Sequence, residues 1–235
     1  MDKGVTMRGD RLIIDDRHRA VAARIASCVA SQLVHHTSPF VLTVGGESGS
    51  GKSEIAQALA DALSEREIVP CILQQDDFFA YPPKTNDMRR RQDISQVGVH
   101  EVRMELLQQS IAHAREGRHS LVVPLVDYAA DRIESQTVSI NGVAVLIIEG
   151  TYTSLLQDVD LRIFLERTVD ETRASRLKRG REAQDDFIEQ VLRIEHAVIR
   201  EHRPLADLLV TKDYRVVGAP TPAARPEPST KRATT

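Results

Sequence analysis

The stretch Gly46-Glu47-Ser48-Gly49-Ser50-Gly51-Lys52-Ser53 has the spacing G-x-x-x-x-G-K-[ST], which implies a binding loop for the phosphates of a nucleoside triphosphate. Its glycines let the backbone turn tightly and bring N–H groups up to phosphate oxygens where a side chain would block the approach. Lys52 is expected to reach the β- and γ-phosphates, and the Ser53 hydroxyl to ligate Mg²⁺, with Glu47, Ser48 and Ser50 completing the loop. The plainer alternative is a Gly/Ser-rich turn before a helix. Average glycine usage puts a chance match somewhere in such a chain on the order of 1%.

Other residues with chemical potential are acidic or basic. Asp76-Asp77 and Glu149 each follow an apolar run, and Arg173, Arg176, Lys178, Arg179 and Arg181 form a dense basic block around Gly180. Arg173 and Arg176 are three apart and share a helix face. Such a block is either a solvated helix end whose charge suits the C-terminal dipole or a set of cations closing over phosphate oxygens. Arg89-Arg90-Arg91 is likewise either a solvated run or a clamp for a phosphate or carboxylate on a second substrate. His100, His113, His196 and His202 match no metal-ligand spacing and read as surface or hydrogen-bonded structural residues.

The elements around the loop fit its requirement for a strand before it and a helix after it. Phe40 to Val44 is apolar and β-branched, bounded by Ser38-Pro39 and Gly45-Gly46, as a buried parallel strand should be. Ile55, Leu59 and Leu63 recur at helical spacing among alanines, so a helix starts where the glycines end and its dipole adds to the anion site. Upstream, Val21, Ile25, Cys28, Val29 and Leu33 predict an amphipathic helix within residues 12–36, packed on the sheet. Ile68 to Leu73 and His119 to Val126 read as strands, Tyr81 to Val97 as a polar loop, and Val99 to Ala114 as a helix. Arg132 to Ile140 alternates apolar and polar residues into Asn141-Gly142, a hairpin signal. Ala144 to Ile148 and Leu161 to Leu165 are strands, residues 169–178 and 185–203 helical, and Asp207 to Val210 a last strand.

This alternation predicts an α/β fold: an open, mostly parallel sheet with helices on both faces, one domain with a β-hairpin insertion. Its expected limits are an N-terminal helical extension over 1–38, a nucleotide-binding domain over 39–218 and a disordered tail rich in Pro, Ala, Ser and Thr over 219–235. In such sheets ligands bind beyond the carboxyl ends of the strands, where the glycine loop, Asp76-Asp77 and Glu149 all fall.

Composition excludes several partners. With 235 residues, 31 basic against 34 acidic and a net charge of −3, no global field favours nucleic acid or an anionic membrane. Aromatics are 4% and tryptophan is absent, which leaves few platforms for stacking bases. No run approaches the roughly 18 apolar residues of a membrane span, and Met1-Asp2-Lys3-Gly4 lacks a signal core. Cys28 and Cys71 suit two buried thiols in a reducing cytoplasm, and the expected location is cytoplasmic.

A GTPase would need an Asn-Lys-x-Asp segment to read guanine, which Thr211-Lys212-Asp213 does not supply, and the signature motif of a transport ATPase is absent. A small kinase remains, needing a carboxylate near the acceptor hydroxyl, an acidic residue in the magnesium shell and arginines to neutralise the phosphoryl group. Over roughly residues 40–217 the chain resembles the uridine kinase and phosphoribulokinase group of P-loop kinases. The matching pieces, in order, are Gly45 to Ser53, Gln75-Asp76-Asp77-Phe78-Phe79, Val123 to Tyr128, Ile148-Glu149-Gly150, and Thr172-Arg173-Ala174-Ser175-Arg176 leading into Arg179-Gly180-Arg181.

The resemblance implies Asp76 as general base, with Asp77 its rival one residue on, and Glu149 beside Ser53 near Mg²⁺. It implies a lid in which Arg173 and Arg176 act on the phosphoryl group and Arg179 and Arg181 on ATP. Acceptor contacts fall to Asp77, Tyr81, Asp93, Asp127 and Tyr128. Two departures bear on the acceptor. Where uridine kinases place an aromatic residue and a histidine against the nucleobase, this chain has Val126 and Asp131. The expected activity is transfer of the γ-phosphoryl group of ATP to a hydroxyl of a nucleoside or similar polar molecule. A sugar, sugar-phosphate or pantothenate-type acceptor is the second reading, and a slowly hydrolysing ATP-binding regulator is the alternative of another class. A homo-oligomer is left open.

Overall fold

The computed structural model describes residues 12–34, 36–172 and 185–219. Its helices are α1 (Asp16–Leu33), α2 (Lys52–Ser64), α3 (Pro83–Gln92), α4 (Met104–Arg115) and α5 (Asp186–Ile199). Its strands are β1 (Phe40–Gly46), β2 (Pro70–Gln74), β3 (Ser120–Asp127), β4 (Arg132–Ser139), β5 (Val145–Gly150), β6 (Leu161–Leu165), β7 (Leu208–Val210) and β8 (Val216–Gly218).

The main sheet has the order β2-β5-β1-β6-β7-β8, parallel except for β8, which pairs antiparallel with β7. Strand β1 is buried along its whole length, and so is β5, because helices cover both faces. On one face α1 lies along α2. Val21, Ile25 and Val29 of α1 pack in one core with Ala56, Leu59 and Leu63 of α2 and Leu42 and Val44 of β1. The alanines of α2 leave room for the second helix, and each fully buried Ile or Leu here adds about 1.5–3 kcal/mol. Helix α1 starts at Asp15, whose carboxylate accepts from the N–H groups of Arg17 and His18. On the other face α4 places Leu107, Ile111 and Ala114 against Leu146 and Ile148 of β5 and Leu121 and Val123 of β3.

Register sets the level of the site. Val44 of β1, Glu149 of β5 and Gln74 of β2 stand side by side, and the chain leaves the sheet just beyond each of them. The connection after β1 runs to β2 on one side of it and the connection after β5 runs to β6 on the other, so the glycine loop sits at the switch point where such folds bind ligands.

Several sequence expectations change. Strand β3 lies outside the main sheet, in an antiparallel ribbon with β4. The ribbon closes at residues 128–131, where Asp131 takes φ 48°, so Asn141-Gly142 instead carries the chain from β4 into β5. The polar loop expected over Tyr81 to Val97 contains α3. Pro83 opens that helix and polar side chains cover it, so it has no apolar stripe to read. The short strand β8 was not anticipated. Of the two thiols, Cys71 is buried and Cys28 only partly so. Among the described residues no helix is long and apolar enough to cross a membrane.

Candidate active site

The loop after β1 turns where Gly46 has φ 148°, and a Cβ there would stand 3.0 Å from both the Leu165 carbonyl and the Ser50 hydroxyl. Helix α2 then begins at Gly51 without a side-chain cap, so its first-turn N–H groups are oriented for an anion. The Lys52 ammonium donates to the Glu47 carbonyl at 2.9 Å and thereby lies folded over the loop. Ser48, Gly49, Lys52 and Ser53 line one end of a cleft of about 560 Å³ that also holds Asp76 and Glu149. That volume is within the range of small-molecule sites.

Glu149 is 3% exposed and accepts a hydrogen bond from Ser53 Oγ at 3.0 Å. Burial pushes its carboxyl up to about 7; the charge of Asp76 adds to this, while Lys52 and the Ser53 hydrogen bond oppose it. A buried carboxylate against a hydroxyl is a pair of hard oxygen donors short of a cation, which fits Mg²⁺. Among the described residues no group of three or more His, Cys, Asp or Glu side chains is placed to hold a metal ion.

The Glu-Gly pair has a structural reason. Gly150 has φ 155°, and any side chain there would collide with Gln75, whose amide oxygen accepts from the Tyr152 N–H at 2.6 Å. The turns after β2 and β5 are thus locked together, which fixes Asp76 relative to Glu149.

Asp76 and Asp77 occupy one 3-10 turn, Gln75–Phe78, and diverge. Asp76 lines the cleft. Asp77 is buried, and its Oδ1 accepts from the Val126 N–H at 2.9 Å, tying the turn to β3. Burial pushes the Asp77 carboxyl up to about 6, opposed by the Val126 hydrogen bond and reinforced by Asp76.

The other expected acceptor residues divide. Tyr81 and Tyr128 line the cleft. Asp93 is exposed and caps the turn Ile94–Gln96, accepting from Ser95 N at 3.0 Å and Ser95 Oγ at 2.7 Å. Asp127 caps the ribbon turn through the N–H groups of Ala129 and Ala130, at 3.1 and 3.0 Å. Neither borders the cleft. Arg173, Arg176, Arg179 and Arg181, expected to form the lid, lie outside the described residues.

Glu47 sits in the phosphate loop by motif, yet its side chain points away from the cleft as a brace. One carboxylate oxygen accepts from the Val169 N–H and the other lies 2.7 Å from His196 Nδ1 of α5. His196, read from spacing as a surface or hydrogen-bonded structural residue, is the latter and supports the loop, although nothing in the sequence signals its partner 149 residues away. Glu47→Ala is expected to lower stability by about 1–3 kcal/mol, because it strands a buried N–H and the imidazole. Urea unfolding measures this, and a change below about 0.5 kcal/mol would show that the brace carries no load.

Asn86 and Glu195 also border the cleft and were not anticipated, and of the arginine run read as either solvated or an acceptor clamp, Arg90 and Arg91 border it too. Available signs of α3 were Pro83 at its start and the i,i+4 pair Asp87–Arg91, joined at 2.8 Å.

The chain is similar to several known proteins. The zeta toxin family profile matches residues 23–135. A bifunctional alpha-galactosidase/sucrose kinase of Mediterraneibacter gnavus is 29% identical over 190 residues, 75% of this chain, although the chain spans only 20% of that protein's length. A uridine kinase of Ureaplasma parvum is 27% identical over 160 residues, covering 66% of this chain and 75% of the relative. Among solved structures, a candidate fructose transport system kinase from Silicibacter superposes with a TM-score of 0.61 at 21% identity, over 80% of this chain and 98% of that one. Sheet order, motif order and relatives point to the same group: the chain is similar in sequence and fold to uridine kinase-like P-loop kinases.

Proposed function

We propose that the protein transfers the γ-phosphoryl group of ATP to a hydroxyl of a small polar acceptor, with Asp76 as general base. The observation that carries this is the division of labour in the 3-10 turn: Asp77 is spent on Val126, and Asp76 faces the same cleft as Lys52 and Ser53. The phosphate loop occupies one end of that cleft, so an acceptor enters from the end beyond Asp76. Its hydroxyl gives its proton to the Asp76 carboxylate as the oxygen bonds to the γ-phosphorus. The bond from that phosphorus to the bridging oxygen breaks, and ADP leaves with the electron pair. Lys52 stabilises charge on the β- and γ-oxygens, and Ser53 and Glu149 would hold a Mg²⁺ that, when bound, would supply further neutralisation there. Arg173 and Arg176 are assigned to the phosphoryl group, Arg179 and Arg181 to the nucleotide.

A regulator that hydrolyses ATP slowly would have no use for room beyond Asp76. ADP release measured with and without acceptors separates the two. An acceptor should raise the rate by at least tenfold; equal rates with every acceptor would sink the kinase assignment.

A further inference from the structure

The acceptor end of the cleft carries a charge balance that its three adjacent arginines conceal. Arg90 Nε donates to Glu101 at 2.6 Å, and its Nη2 donates to Glu101 at 2.9 Å and to Glu195 at 3.1 Å. This group is mostly buried, with side-chain exposures of 15% for Arg90, 3% for Glu101 and 14% for Glu195. Arg91 is shared between Asp87 and Asp185, at 2.8 Å each. Arg89 lies over the Tyr81 ring at 4.2 Å and does not border the cleft. Each cleft-facing arginine thus already serves two carboxylates. Lys84 is the remaining cation at this end, and its neighbour there is Asp131, which accepts from the Lys84 N–H at 2.7 Å. With Asp76 also present, carboxylates outnumber cations among the described residues of this end. A second phosphate or carboxylate would meet repulsion in a partly desolvated place, where charge interactions are strong.

The groups that would read a nucleobase are spent as well. Val126 replaces the aromatic residue, and its N–H is held by Asp77. Asp131, in place of the histidine, gives both oxygens to the start of α3, one to Lys84 N and one to Thr85 Oγ1 at 2.9 Å.

We infer that the acceptor is a neutral polyhydroxylated molecule, a sugar or polyol, gripped through its hydroxyls by Asn86, Arg90 and Glu195 between α3 and α5. The inference rests on the kinase assignment above. Asn86 Nδ2 donates to Glu101 at 2.8 Å, which leaves its carbonyl oxygen to accept from a ligand. Arg90 and Glu195 set guanidinium donors beside a carboxylate acceptor, and vicinal hydroxyls both donate and accept. Phe79, Tyr128, Val191 and Leu192 line the same space and suit the C–H faces of a sugar ring.

The test is ADP release at fixed Mg-ATP with three sets of acceptors. One set is glucose, fructose, ribose, glycerol and myo-inositol; the second is uridine and cytidine; the third is ribose 5-phosphate, glycerate and pantothenate. A member of the first set should exceed every member of the others by at least tenfold in kcat/KM, and its KM should hold steady as salt is raised, since no ion pair binds it. Glu195→Gln should raise that KM tenfold or more with a smaller change in kcat, and should narrow the gap to the anionic acceptors. Preference for a nucleoside or for an anionic acceptor would overturn the inference and leave the kinase standing. An unchanged KM in Glu195→Gln would overturn the assigned grip. No stimulation by any acceptor would remove the kinase assignment and this inference with it.

Discussion

Lys52→Ala should reduce phosphoryl transfer by about 10³-fold or more while the protein stays folded. The ammonium donates to the Glu47 carbonyl and borders the cleft, and the side chain belongs to neither hydrophobic core. Removing it deletes a positive charge aimed at the β- and γ-oxygens, where negative charge accumulates as the phosphoryl group moves. Loss of one preorganised group of this kind costs about 10²–10³ in kcat, and weaker ATP binding adds to the loss in kcat/KM. The cost to stability should stay within about 0.5 kcal/mol, as for a substitution outside the core, and shift the melting midpoint by about 2 °C or less. ADP release and a thermal melt on one preparation check both halves. Turnover at the wild-type rate would mean that the triphosphate does not bind in this loop.

The part of the fold that carries the phosphate loop was legible because its signals are local. Phe40 to Val44 is a continuous apolar run, α2 has a regular stripe and the glycines between them are fixed in spacing. The ribbon was harder. Strand β3 has the composition of a core strand, but its partner is β4, and only the antiparallel pairing from Asp127 with Arg132 back to Ser120 with Ser139 distinguishes a ribbon from a sixth parallel strand. Helix α3 was hidden for the opposite reason. Its polar residues fold back on one another and on Glu101 and Asp185, so ion pairing rather than an apolar face holds it in place.

The site divides along the same line. Lys52, Ser53, Asp76 and Glu149 stand at fixed offsets from strand ends, and a parallel sheet brings strand ends together. Residues at the proposed acceptor end depend on tertiary pairing. Asp93 and Asp127 carry the right chemistry at the right place in the chain, but each is turned to its own backbone as a cap. Asn86 and Glu195 lie more than a hundred residues apart on two helices, and a linear pattern contains nothing that joins them.

Asp76→Asn should lower kcat by roughly 10²–10⁴ with little loss of ATP affinity, because an amide cannot take the acceptor proton and general base catalysis is worth about that factor. The neighbouring Asp77→Asn provides the contrast. An asparagine oxygen can still accept from the Val126 N–H, so kcat should change by no more than about threefold, while stability near neutral pH should rise. The sign follows from burial, which raises the folded-state proton affinity of Asp77 to about 6 against an ordinary value of 3.8. Its contribution to stability is complete below about pH 4 and is lost as the pH rises through 6, where a buried carboxylate must ionise. At pH 7.5 the amide removes that cost, on the order of 3 kcal/mol. Melting midpoints from pH 4 to 7.5 should therefore diverge between the wild type and Asp77→Asn, with the variant higher at the alkaline end. A larger kcat loss in Asp77→Asn than in Asp76→Asn would put the base one residue later. In that case the hydrogen bond to Val126 would have to break before the acceptor could be deprotonated.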